Sequence, residues 1–161
     1  FSMTQLCNRF KLDAALKMEI ERYGRSDSPF SVILLDIDDF KKVNDVYGHL
    51  TGDAVLVELA EILKNTIRKI DTVGRWGGEE FMIILPESDL DGGLDLAEKL
   101  RERIHEHKFP GPGHLTASFG VAVSEKGGDQ KELLARADKA MYQAKQSGKN
   151  RVCPFEKRGL K

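Results

Sequence analysis

The run from Phe30 to Ile37 constrains this chain most. Phe30, Val32, Ile33, Leu34, Leu35 and Ile37 leave only Ser31 and Asp36 polar. A short, nearly unbroken apolar run bounded by turn residues reads as a strand buried on both faces. It ends in Asp36, Asp38 and Asp39. Carboxylates at the end of a buried strand are costly unless they are paired, hydrogen-bonded or bound to a metal. The alternative for Asp36 and Asp38 is a capped turn at the strand end.

The rest of the chain supplies cover for that strand. Phe10 to Tyr23 reads as an amphipathic helix with Phe10, Ala14, Met18 and Ile20 on its apolar face, closed by Gly24 and the Ser26-Asp27-Ser28-Pro29 run. Phe40 to Tyr47 reads as a short helix stopped by Gly48. Thr51-Gly52-Asp53 opens the next helix, which runs to about Ile70 with Val55, Leu59, Ile62, Leu63, Ile67 and Ile70 as its stripe. Asp71 to Pro86 forms a hairpin, and Ser88-Asp89 starts a helix through Leu94, Ala97, Leu100 and Ile104. Phe109-Pro110-Gly111-Pro112-Gly113 is a rigid loop. Leu115 to Val123 is a strand, Asp129 to Gln146 a helix, and Arg151 to Phe155 a last short strand. Strands and helices alternate, but the hairpin interrupts them, so the sheet is at least partly antiparallel. The fold class is α/β (α+β): a mainly antiparallel central sheet flanked by helices.

The hairpin carries Arg75-Trp76-Gly77-Gly78-Glu79-Glu80-Phe81. A Gly-Gly tip has no Cβ, so another molecule can approach the backbone closely. Glu79 and Glu80 add up to two negative charges at the same place. That combination suits a divalent cation together with a phosphate-bearing ligand. A solvated hairpin turn carrying acids for solubility is the other reading.

With 161 residues the chain fits one domain with its own core. Its net charge of -1 gives no overall basic field for nucleic acid or an anionic membrane. Cys7 and Cys153 form no CxxC pair and no metal spacing, which suits reduced thiols in a cytoplasmic protein. No apolar stretch approaches the roughly 18 residues needed to span a bilayer. The chain begins at Phe1 rather than Met, as an excised C-terminal part of a longer sensor protein would, and the parent could carry a membrane anchor. P-loop, GxGxxG, HExxH and GxSxG signatures are missing. His105, His107 and His114 lie near a loop without ligand spacing.

Taken together, four ordered stretches resemble the GGDEF family, the diguanylate cyclases. They are Asp36-Ile37-Asp38-Asp39-Phe40-Lys41-Lys42-Val43-Asn44-Asp45 with Gly48-His49 and Gly52-Asp53; the signature at Arg75–Phe81 in its GGEEF form; Thr116–Ala122; and Ala137–Lys145 followed by Gly148-Lys149-Asn150. The likeness covers nearly all of residues 1–161, read as a single GGDEF catalytic domain. Phe1 and Gln5 stand where an Asp and a Gly are usual in the family. Lys149 stands where an Arg is usual, which keeps the charge but loses the bidentate fork.

The resemblance implies a fold like the palm of nucleotide cyclases and polymerases. It implies a reaction in which two GTP become cyclic di-GMP and two pyrophosphates, across a homodimer in which each 3′-hydroxyl attacks the other nucleotide's α-phosphate. Such in-line displacement uses two metals about 3.5–4 Å apart. By resemblance, Asp36, the Ile37 carbonyl, Glu79 and Glu80 ligate two Mg²⁺ (or Mn²⁺). Glu79 and Glu80 are the catalytic acids, and Glu79 is the better candidate to help deprotonate the 3′-hydroxyl. Gly77 and Gly78 admit the substrate. Phe40 and Lys41 lie at a helix N-terminus, whose amides favour phosphate. Lys145 and Lys149 reach the β- and γ-phosphates; otherwise they are cations suited to a helix C-terminus. Asp53 reads guanine with Asn44 as partner, since a carboxylate can accept from guanine N1–H and N2–H₂ together. Asp53 could also be the N-cap of its helix. His49 lies on the substrate side or just behind it. Arg68 and Asp71, with five residues between Asp71 and Gly77, resemble the family's product-inhibition site, which would make cyclic di-GMP both product and inhibitor. An Arg at a helix end and an Asp in the following turn is the plain alternative. A non-catalytic GGDEF-like module that binds GTP or cyclic di-GMP as a regulator is the competing function. An enzyme of the same fold that accepts ATP is a third, against which Asp53 argues.

Overall fold

The apolar run becomes β1 (Ser31–Ile37), the central strand of a five-stranded sheet in a computed structural model that describes residues 6–156. Phe1, Thr4 and Gln5 of the polar start lie outside the described residues. In chain order the other elements are α1 (Arg9–Arg25), α2 (Phe40–Tyr47), α3 (His49–Thr66), β2 (Thr72–Gly77), β3 (Glu80–Leu85), α4 (Leu90–Glu106), β4 (Ala117–Val123), α5 (Gln130–Gln146) and β5 (Val152–Pro154). The sheet order is β2-β3-β1-β4-β5. All neighbours are antiparallel except β4 and β5. This is the mainly antiparallel, helix-flanked palm that the resemblance implies.

Two apolar layers form because β1 alternates. Ile33, Leu35 and Ile37 point into a core with Val43 of α2, Val55, Leu59 and Leu63 of α3, and Ala97, Leu100 and Ile104 of α4. Val32 and Leu34 point the other way, onto Leu12 and Leu16 of α1 and Leu133, Ala137 and Met141 of α5. Ile33, Leu35, Leu59 and Leu63 are wholly buried, and each such side chain contributes about 1.5–3 kcal/mol of hydrophobic stabilisation. The same alternation decides the site. Asp36 shares the even face with Val32 and Leu34, so it looks toward α5.

The structure corrects the sequence reading in three main places. The apolar face of α1 is carried by Leu12 and Leu16, both at 0% exposure, while Phe10 and Met18 are 80% and 68% exposed. The two stripes lie two residues apart, or about 200° around a helix, so choosing one turns the other to solvent. Next, α3 begins at His49, not near Thr51, and ends at Thr66, leaving Ile70 half exposed. Asp53 is therefore inside the helix and is not its N-cap. Gly52 allows the early start: the Asn44 carboxamide occupies the space a Cβ would need, so α2 and α3 close tightly at their corner. Finally, the hairpin turns on Gly78-Glu79 rather than Gly77-Gly78. Gly77 pairs with Glu80, Trp76 is the extra residue of a bulge, and Gly78 takes a left-handed φ of 47°.

Candidate active site

The carboxyl end of β1 and the β2–β3 turn, where antiparallel β3 begins, gather the acids. Asp36 is the direct neighbour of Glu80 across the β1–β3 ladder and of Ser118 across the β1–β4 ladder. Glu79 follows the tip glycine, and the Arg75 guanidinium donates to the Gly78 carbonyl through both Nε and Nη2, which fixes the turn. From α5, the Lys145 ammonium lies 3.3 Å from Asp36 Oδ2, 3.5 Å from Asp38 Oδ1 and 3.5 Å from the Ile37 carbonyl oxygen. Burial lifts the Asp36 carboxyl to about 6; Glu79 and Glu80 push the same way and Lys145 opposes them. Burial also raises Glu80, helped by Asp138 and Glu79.

Asp36 and Asp38 look alike in sequence but differ in state. Asp38 accepts from Ser118 Oγ at 2.7 Å, Thr116 Oγ1 at 2.6 Å and the Asn150 amide at 3.0 Å. Its lone pairs are occupied. Asp36 Oδ1 is buried with no hydrogen-bond partner. An orphaned carboxylate oxygen beside a backbone carbonyl and a cluster of further acids is the donor chemistry of a hard divalent cation. Among the described residues no three His, Cys, Asp or Glu side chains close on one point. The set therefore fits a cation that takes its remaining ligands from phosphate and water, as Mg²⁺ commonly does.

The start of α2 lies beside the turn that follows α5. Asp39 has a left-handed φ of 58°, and α2 has no side-chain cap at its start, so the first amides, at Phe40 and Lys41, face outward from the helix. Lys149 Nζ donates to Asp39 Oδ1 at 2.9 Å, placing an ammonium at that helix start and holding the Asp39 carboxyl below its ordinary range. Phe40 itself is buried, while the Lys41 side chain turns outward to Asp45. Asn44 packs on Gly52, next to Asp53, and His49 is exposed at the first position of α3. The structure thus groups Asp36, Ile37, Glu80 and Lys145 tightly and sets Lys149 beside Asp39. Asn44 and Asp53 sit along the α2–α3 corner.

A family model described as diguanylate cyclase, GGDEF domain, matches residues 2–151. The chain belongs to the GGDEF family. It is 40% identical over 156 residues to a diguanylate cyclase of Vibrio cholerae, covering 96% of this chain and 49% of that protein. The active GGEEF domain of a V. cholerae diguanylate cyclase superposes with a TM-score of 0.90 at 40% identity, covering 94% of this chain and 99% of that one. The GGDEF domain of DgcB from Caulobacter crescentus, in complex with c-di-GMP, gives 0.92 at 28% identity, covering 96% and 94%. The chain spans between 23% and 49% of the length of such curated relatives. Among the described residues no helix of this GGDEF domain is long and apolar enough to cross a membrane.

Arg68 and Asp71 are closed on each other in the GGDEF domain. Asp71, with its side chain at 0% exposure, accepts from the Arg68 amide at 2.8 Å and from the guanidinium through Nε at 3.1 Å and Nη2 at 2.8 Å. Arg68 Nη2 also donates to the Pro86 carbonyl at 2.8 Å. A ligand there would meet the outer face of the guanidinium and would have to open the pair to reach Asp71.

Sequence reasoning missed two features of the site. One is the set of partners that separates Asp38 from Asp36; both share one strand parity, so alternation gives no signal. The other is Arg9, whose guanidinium lies 3.8 Å from the Trp76 ring centroid and 3.5 Å from its carbonyl oxygen. Its charge opposes the rise at Glu80. An Arg and a Trp so far apart in sequence carry no pairing signal.

Proposed function

We propose that this GGDEF domain is a diguanylate cyclase that condenses two GTP into cyclic di-GMP with release of two pyrophosphates. The observation that carries the reading is the orphaned Asp36 Oδ1, set beside the Ile37 carbonyl and across one ladder step from Glu80. Asp36, the Ile37 carbonyl, Glu79 and Glu80 would hold two Mg²⁺. Divalent cations bound there would neutralise charge on the reacting phosphate and would make the 3′-hydroxyl easier to deprotonate. Glu79, in the turn, helps take that proton, and Glu80, anchored in β3, keeps the acids in register. Gly77 and Gly78 leave the tip open. The uncapped start of α2, at Phe40 and Lys41, receives phosphate oxygens. Lys145 and Lys149 exchange their aspartate partners for the β- and γ-phosphates. Asp53 and Asn44 take the guanine edge, and the loss of the capping role strengthens that assignment for Asp53. His49 lines the substrate side.

One nucleotide per protomer makes the homodimer the catalytic unit. Arg68, by its outer guanidinium face, is the contact for cyclic di-GMP as inhibitor, with Asp71 joining only after their pair opens. The single domain over residues 1–161 works as the output module of a longer protein. Incubation with GTP alone, ATP alone and both, followed by product analysis, tests the reading. Cyclic di-GMP from GTP alone is expected. A mixed dinucleotide as the main product, or none, overturns it.

A further inference from the structure

We propose that Arg101 and Asn150 are positioning residues for the triphosphate: they hold the turn after α5 in the one shape that presents Lys149 to the phosphates. This rests on the reading of Lys149 as a triphosphate-binding residue. The turn is unusual. Lys149 and Asn150 are consecutive non-glycine residues with φ of 62° and 46°. Side chains rarely enter this left-handed region, and two in succession persist only where the surroundings dictate them.

The surroundings do so from three elements. Asp38, at the end of β1 and 3% exposed, receives the Asn150 amide at 3.0 Å. Arg101, on α4, donates through Nη1 to Asn150 Oδ1 at 2.9 Å. Arg101 is itself aimed by Glu98, which accepts from Nε at 2.9 Å and from Nη2 at 2.7 Å, a two-pronged grip that leaves Nη1 pointing at the turn. The α5 side closes the turn with the Lys149 amide donating to the Ala144 carbonyl at 3.0 Å. The backbone of residues 149–150 is thereby tied to α4, β1 and α5 together. What emerges from this clamp is the Lys149 side chain, with Nζ at Asp39 and the start of α2. A lysine is a flexible point charge and does not orient itself as an arginine fork does. Here the backbone beneath it supplies the orientation.

Binding of 3′-deoxy-GTP, which lacks the attacking hydroxyl, measured by calorimetry in Mg²⁺ tests this without relying on turnover. Arg101→Ala removes the donor. Asn150→Gly removes the acceptor while accommodating the left-handed backbone without strain, so its fold is preserved. Both variants should bind 3′-deoxy-GTP about tenfold more weakly, as loss of one hydrogen bond to a charged group predicts. Both should bind GMP as the wild type does, because GMP has no β- or γ-phosphate for Lys149 to meet. Equal weakening for GMP and 3′-deoxy-GTP would mean a merely structural role and would overturn the proposal. So would unchanged affinity for both. A wild-type protein that binds no 3′-deoxy-GTP would instead remove the nucleotide reading itself, and the proposal with it.

Discussion

Replacing Asp36 with Asn should stabilise the metal-free protein, and the gain should grow with pH. The Asp36 side chain is 15% exposed and burial lifts its carboxyl from 3.8 to about 6. Below pH 3.8 the folded and unfolded chains both hold the proton, so Asp36 contributes nothing. Between 3.8 and 6 the unfolded chain releases its proton while the folded chain keeps it, and stability falls as pH rises. Above 6 the charged carboxylate costs the fold about 3 kcal/mol, at about 1.4 kcal/mol per pH step. The neutral Asn avoids this. Its advantage should be on the order of 3 kcal/mol at pH 8 and about half that at pH 5. For a domain of this size that is about 6–12 °C in Tm at pH 8 and about half as much at pH 5. Thermal melts in chelator at both pH values provide the assay. Added Mg²⁺ should raise the Tm of the wild type at pH 8 and leave Asp36→Asn nearly unmoved, because the cation replaces the missing partner of Oδ1. A difference that is constant with pH, or that favours the wild type at pH 8, would refute the reasoning.

Glu79→Gln should keep the turn, which rests on Gly78 and Arg75, yet lower turnover by roughly 10²–10³ at saturating Mg²⁺; near-normal turnover would remove Glu79 from the chemistry. Asp53→Ser should weaken the preference for GTP over ATP by about 1–3 kcal/mol in competition assays, with little loss of stability because Asp53 does not cap α3. Arg68→Ala should relieve inhibition by cyclic di-GMP, noncompetitive toward GTP, with the initial rate retained. It should also lower the Tm, since it leaves the buried Asp71 carboxylate without its guanidinium. Calorimetric affinity for cyclic di-GMP equal to that of the wild type would exclude a product site at Arg68.

The order of elements was legible wherever apolar pattern and punctuation agreed. Phe30–Ile37 could only be an inner strand, and Gly48 and Pro86 marked real ends, whereas α1 runs on through Gly24 to Arg25. The apolar face of α1 was not legible, because Phe10 and Met18 repeat with the same period as Leu12 and Leu16. Only the sheet's demand for two leucines against Val32 and Leu34 chooses between them. The start of α3 was hidden for a similar reason: Thr51-Gly52-Asp53 reads as the opening of the helix until the Asn44 side chain is seen to need the space beside Gly52. That the strand-end acids and the hairpin acids meet was legible from the antiparallel hairpin and the strand end, together with the family resemblance. Their division of labour was not. Asp36 stays open and Asp38 is saturated because Thr116 and Ser118 of the distant fourth-strand segment meet one and not the other. Arg68 and Asp71 show the converse, a pair whose spacing was legible but whose mutual closure was not.

The central claim is that two of these domains, each with one GTP, make one cyclic di-GMP. Its most direct test is to follow cyclic di-GMP and pyrophosphate together from GTP and Mg²⁺ across a dilution series of the protein, with sedimentation at the same concentrations. Two pyrophosphates per cyclic di-GMP and a specific activity that falls as the dimer dissociates are the predicted results. Pyrophosphate without cyclic di-GMP, or full specific activity from a protein that sediments as a monomer, would contradict the account.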